Sequence, residues 1–159
     1  MIIRKIRPGE YSFLKEMLYV ALYVPDGEPP FPDSILEVPK IKQYVDKFGD
    51  HPYDLALVAE QNALLVGACW GRLFQPPEVG YGFISADIPE LCMAVRKNYR
   101  RQGLASRLIG ELCQQYARQK IFAVSLSVDK RNPAKKLYAL QGFQVVEENA
   151  DDFIMRKRL

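Results

Sequence analysis

The sequence predicts an α/β fold of the α+β kind. It should hold a mixed, mostly antiparallel sheet of six to seven strands, a central parallel strand–helix–strand unit, and helices on both faces. Three observations predict it. Apolar extended runs and helical patterns succeed one another in the order β-α-α-β-β-β-α-β-α-β-β. The unit from Glu90 to Val128 reads strand, helix, strand, which should form a right-handed parallel crossover. The remaining strands are joined by short turns and should pair antiparallel. At 159 residues, with no repeat, low-complexity run or linker, a single domain over 1–159 is expected.

Each element has a local reason. Ile2 to Ile6 reads as a short strand ended by Pro8-Gly9. Glu10 to Tyr23 carries Phe13/Leu14, Met17/Leu18 and Ala21/Leu22 at helical spacing. Four prolines between Val24 and Ser34 make a loop, and a second helix should start with Pro39 in its first turn and end near Phe48-Gly49. Asp54–Glu60 and Ala63–Phe74 read as strands around a Gln61-Asn62 turn, followed by a loop from Gln75 to Gly82. Glu90 to Val95 is the next strand. Gln102 to Arg118 is the best helix, with Leu104, Leu108, Ile109, Leu112, Cys113 and Tyr116 in one stripe. Ile121–Val128 is a strongly apolar strand. Asn132 suits a helix N-cap, Pro133 its first turn and Gly142 its end. Phe143–Glu147 and Phe153–Lys157 close the chain as a hairpin.

Composition narrows the function. Hydrophobic residues make up 48% and charged residues 26%, as in ordinary globular proteins. A net charge of +3 is too mild to point to nucleic acid, and no apolar run approaches the roughly 20 residues of a membrane span. Cys69, Cys92 and Cys113 are odd in number and lie in apolar segments, so they read as buried free thiols of a reducing compartment. The N-terminal residues are too charged for a signal peptide, and a cytoplasmic location is expected. His51, the one histidine, precedes Pro52 in a surface turn, which disfavours a histidine-based metal site; no metal is expected.

The chemistry concentrates at Arg100-x-x-Gly103-x-Ala105. An apolar strand precedes it and an amphipathic helix follows, so a row of backbone N–H groups and a helix N-terminus aim at one point. Arg96, Lys97, Arg100, Arg101 and Arg107 add positive charge there. Such a point binds a phosphate-rich anion. No Lys-Ser/Thr pair follows Gly103, which disfavours ATP, and no second glycine pattern points to a dinucleotide. A second element, Asn132 to Phe143, puts Ala134 and Tyr138 on one helix face.

Together the two motifs resemble those of the GCN5-related N-acetyltransferase (GNAT) superfamily. The first matches its acyl-CoA motif, Gln/Arg-x-x-Gly-x-Gly/Ala, and Asn…Ala…Leu-Tyr…Gly-Phe matches the motif that follows. The specific likeness covers roughly Pro89 to Phe143, and the element order fits over nearly the whole chain. The resemblance implies an acyl-CoA-dependent N-acyltransferase with acetyl-CoA as co-substrate. Glu90–Val95 and Phe122–Val128 should splay at their C-terminal ends. The pantetheine arm should lie along Met93, Ala94 and Val95. The pyrophosphate should sit on the N–H groups of Arg101, Gln102, Gly103, Leu104, Ala105 and Ser106, beside Arg100. Asn132 should bond the pantetheine arm, and Lys135, Lys136 or Arg96/Lys97 should meet the 3′-phosphate.

Attack on a thioester needs a base, an oxyanion donor and an acid. The resemblance makes Glu90 the candidate base through water and Tyr138 the candidate acid. Ser127 stands in Leu126-Ser127-Val128, where some protein-acetylating relatives carry a glutamate, and it cannot serve as that base. Trp70, Phe74, Tyr81 and Phe83 are candidates for an acceptor pocket. Acidic residues in the loops Tyr23–Ser34 and Phe74–Asp87 (Asp26, Glu28, Asp33, Glu78 and Asp87) favour a cationic amine. The leading reading is acetyl transfer to a small primary amine. A peptide N-terminus or lysine as acceptor, and a non-catalytic acyl-CoA-binding module, are the alternatives. A homodimer is open.

Overall fold

A computed structural model describes all of residues 1–159. The elements are β1 (Ile2–Lys5), α1 (Ser12–Ala21), α2 (Pro39–Lys42), β2 (Leu55–Gln61), β3 (Leu64–Arg72), β4 (Glu90–Val95), α3 (Leu104–Arg118), β5 (Ala123–Asp129), α4 (Ala134–Leu140), β6 (Gln144–Glu148) and β7 (Asp152–Arg158). All seven strands join one sheet in the order β1-β2-β3-β4-β5-β7-β6. Only β4 and β5 run parallel; every other neighbouring pair is antiparallel. This is the fold class expected from the sequence.

The sheet divides the core in two. On one face, Leu104, Leu108, Ile109, Leu112, Cys113 and Tyr116 of α3 pack on Leu57, Leu91, Val95, Val124, Leu126 and Val128. On the other, Phe13, Leu14, Met17 and Leu18 of α1 meet Ile41, Tyr44, Val58, Ala68, Trp70 and Ala94. Strand alternation explains the split, since Leu57 and Val58, or Val95 and Ala94, point to opposite faces. Each fully buried large apolar side chain contributes about 1.5–3 kcal/mol of transfer free energy.

Two local expectations shift. The turn between β2 and β3 is Asn62-Ala63, one residue later than expected, with φ of 51° and 63°. Positive φ at both central residues matches the twist of the flanking strands. The second helix forms a single turn, Pro39–Lys42, and continues as irregular turns to Phe48. Arg72 is the reason. Its Nη1 donates to the carbonyls of Gln43 (2.8 Å) and Asp46 (2.6 Å), and Trp70 Nε1 donates to the Tyr44 carbonyl (3.0 Å). Acceptors that a longer helix would use internally are bonded to β3 side chains instead. Arg72 also pairs with Asp54 at 2.9 Å, both side chains being 2% exposed or less.

Candidate active site

β4 and β5 pair at one register position, Glu90 opposite Ser125, held by a 2.9 Å bond from Ser125 N to Pro89 O. Beyond it the strands part, and two clefts open at their carboxyl ends, where open α/β sheets place ligands. The larger, about 730 Å³, runs between the end of β4, the start of α3 and the segment Asn132–Tyr138. The smaller, about 230 Å³, lies between β4, β5, the end of α1 and the loops around Phe31 and Tyr81. Met93, Asn132 and Tyr138 belong to both walls.

The turn that closes the larger cleft is built by backbone geometry. A 3-10 turn over Lys97–Tyr99 follows β4, then Arg101 at φ 60° and Gly103 at φ 75° lead into α3. Gly103 is the N-cap residue and brings no side chain to satisfy the first turn. The first helical bond is Arg107 N to Gly103 O at 3.2 Å, so the N–H groups of Leu104, Ala105 and Ser106 remain free to bind an anion.

Met93, Ala94, Val95, Arg100, Arg101, Gly103, Leu104, Ala105, Ser106 and Asn132 all line the larger cleft. Two expected residues do not. Gln102 is exposed and outside the wall, turned out between Arg101 and Gly103. Lys135 carries its Nζ 4.3 Å from the Phe153 ring centre, a cation–π contact that draws it away from the cleft. Arg96 also faces elsewhere, with Glu16 at 2.9 Å and the Leu65 carbonyl at 3.0 Å. Arg100 Nε donates to the Val95 carbonyl at 2.9 Å, tying the turn to the strand end. Asn132 Oδ1 accepts from Ala134 N–H at 2.9 Å and so caps α4.

Glu90 lines the smaller cleft yet is only 3% exposed. Its Oε2 accepts a hydrogen bond from the Tyr44 hydroxyl, and its Oε1 has no partner. Burial pushes its carboxyl up to about 7, while the Tyr44 hydrogen bond works in the opposite direction. Tyr44 in turn accepts from Tyr81 N–H at 2.8 Å. Tyr138 stands where the two clefts meet, its ring 6.0 Å from Phe143, and burial holds its hydroxyl above the ordinary tyrosine range. Cys92 in the same wall has its thiol pushed up to about 12, first by burial and then by Glu90, so it stays protonated.

The 75–89 loop seals this region at two glycines. A Cβ at Gly82 would lie 2.6 Å from the Leu126 carbonyl carbon, and one at Gly80 would overlap Glu90 Oε1 and the Tyr44 hydroxyl. Ser125 Oγ donates to the Gly82 carbonyl at 2.7 Å. The sequence alone assigns no role to Tyr44, Gly80 or Gly82. The spacing Gly80-Tyr81-Gly82 was the one available sign of a close backbone approach.

The acidic loops are organised differently from the expectation. None of Asp26, Glu28, Asp33, Glu78 and Asp87 is in the smaller cleft's wall. Glu28 reaches Arg131 at 3.5 Å, and Asp26 lines the larger cleft. The carboxyl groups that do line the smaller cleft are Glu90 and Asp129. Of the four candidate aromatics only Tyr81 lines it, because Trp70 and Phe74 are core residues and Phe83 packs against that core. No three His, Cys, Asp or Glu side chains gather in a metal-holding group, and no helix is long and apolar enough to cross a membrane.

Comparison with known proteins fits this geometry. The chain is similar in structure to the PaiA N-acetyltransferase of Thermoplasma acidophilum, solved with coenzyme A (TM-score 0.71, 19% identity, 99% of this chain and 98% of that one). It is similar to the ribosomal-protein-S18-alanine N-acetyltransferase of Escherichia coli (TM-score 0.69, 18% identity, 99% and 92%). It is also similar to YncA of Salmonella typhimurium, described as a putative acetyltransferase and solved with acetyl-CoA (TM-score 0.68, 18% identity, 100% and 94%). No curated protein matches the chain. The Acetyltransferase (GNAT) family matches it over residues 16–143, so the chain belongs to the GNAT acetyltransferase family.

Proposed function

We propose that residues 1–159 act as a single acetyltransferase domain that moves the acetyl group of acetyl-CoA to the primary amine of a small molecule. The observation that carries this reading is the buried Glu90, with one carboxylate oxygen unpartnered, in the wall of a small cleft that meets the anion-binding cleft at Tyr138. The residues present fit acetyl-CoA. Free N–H groups at Leu104–Ser106 with Arg100 and Arg101 suit the pyrophosphate, and the side of β4 at Met93–Val95 that pairs with β3 but not with β5 leaves an edge that suits the pantetheine arm.

Acetyl-CoA supplies the activated acetyl thioester; the chain supplies position and proton movement. A primary ammonium has no lone pair, and its ordinary pKa is about 10. Glu90, ionised above about pH 7, takes one proton from it. Glu90 is three residues from Met93 along β4, roughly 10 Å, so the proton passes through water. A backbone N–H of β4 near Met93 donates to the carbonyl oxygen as charge builds there. The amine nitrogen bonds to the acyl carbon and the carbon–sulfur bond breaks. Tyr138 gives its proton to the departing sulfur and regains one from the second amine proton through solvent. One proton is released overall, with thiol and amide as products.

Thiol release from acetyl-CoA, followed over a panel of primary amines, tests this. Amine-dependent release that falls about a hundredfold or more in Glu90→Gln is expected. Release that ignores the amine, or acetyl-CoA binding with no release, would contradict the reading and favour a binding module.

A further inference from the structure

We infer that the acceptor is a primary amine joined by a short arm to one apolar, ring-sized body. This rests on the acetyl-transfer reading of the site and names what the smaller cleft takes. Of the nineteen residues in that cleft's wall, eleven are apolar or cysteine and four more are tyrosines. The remaining four decide the case, because three already have partners. Ser127 Oγ donates to Asp152 at 2.6 Å, Asp129 takes the Arg131 guanidinium at 3.1 Å, and Asn132 Oδ1 accepts from Ala134 N–H. Glu90, a residue 3% exposed, keeps Oε1 without a hydrogen-bond partner, packed against Gly80. Beside tyrosine hydroxyls and the Asn132 amide, the wall therefore offers one carboxyl without an ion-pair partner, suited to one ammonium group that reaches it through water. A hydroxyl-rich acceptor would lose its water there and find few partners in return.

Charge and size point the same way. Arg131 offsets Asp129, and Lys40 lies 4.4 Å from the Tyr81 ring centre at the cleft's edge. A second cationic group on the acceptor would meet these like charges. A cavity of about 150 Å³ with apolar walls holds benzene. The 230 Å³ found here leaves room for a ring and an arm of two or three atoms. Phe31 and Tyr81, 41% and 44% exposed, stand at the mouth where the ring would be covered.

The test compares kcat/KM of the full chain, by thiol release, for phenethylamine, kanamycin, spermidine and an alanine-initiated tripeptide. Phenethylamine should exceed each of the others by at least about tenfold. A smaller ratio against any one of them overturns the acceptor inference and leaves acetyl transfer standing. No release with any amine overturns both. Tyr81→Ala should raise KM for phenethylamine severalfold with kcat little changed; an unchanged KM would overturn the placement of the ring at the mouth.

Discussion

The Tyr44 hydroxyl donates to Glu90 Oε2, linking the turns after α2 to the first residue of the strand that faces the cofactor cleft. The same hydroxyl accepts from Tyr81 N–H, so one buried oxygen joins three parts of the chain. Glu90 is thereby held with one oxygen bonded and the other free.

This bond has a pH consequence. Glu90 acts only when ionised, so kcat/KM should rise with pH through a value of about 7. The charges facing it from neighbouring elements are Lys40, which favours ionisation, and Asp152, which opposes it. Tyr44→Phe removes the hydrogen bond to the ionised form, and such bonds are worth about 1.5–3 kcal/mol. The limb should move to higher pH by about one to two units. A profile that stays in place while activity falls would mean that Tyr44 only supports packing.

The same carboxyl costs stability. In the folded chain its pKa is raised to about 7, against about 4.3 unfolded. Between those values the folded chain holds a proton that the unfolded chain has released. Its contribution therefore falls as pH rises through this window and is least favourable above pH 7. Glu90→Gln should stabilise the chain near pH 8 by up to about 3 kcal/mol and have little effect near pH 4. Urea unfolding at the two pH values measures the difference.

Tyr138→Phe should lower kcat about a hundredfold while acetyl-CoA affinity changes less than about threefold. Its hydroxyl is held protonated by burial at the junction of the two clefts. Single-turnover rates alongside calorimetric affinities separate the two effects. An unchanged rate would assign the acid's role to water.

Asp54→Ala should destabilise the fold by about 3–5 kcal/mol, because Arg72 would be left buried without its counter-charge. The carboxylate also accepts from Gly49 N–H at 2.9 Å and His51 N–H at 3.1 Å. Denaturant unfolding at neutral pH is the measurement, with Leu140→Ala, at an 85% exposed position, as a neutral control.

Local patterns in the sequence carried far. The six apolar positions of the long helix are the six α3 residues that are buried, and β4 spans Glu90–Val95 as read. The turn at Gly103 was legible because only a few residue types tolerate φ 75° at a helix start. What escaped was long-range. Tyr44 and Glu90 are 46 positions apart, and no local period connects them. The helix expected to end near Phe48 was cut short by Arg72, a residue from a strand still to come. The acidic loops misled because loop charges report composition, not direction: Glu28 turned to Arg131, and the carboxyl of the cleft with an unpartnered oxygen is Glu90.

Calorimetric titration with acetyl-CoA, with ATP and NAD as controls, tests the central claim most directly. The account predicts micromolar binding of acetyl-CoA alone, weakened in Gly103→Ala, whose Cβ would strain the turn that presents the free N–H groups. Absence of heat with acetyl-CoA, or equal binding of ATP or NAD, would contradict it.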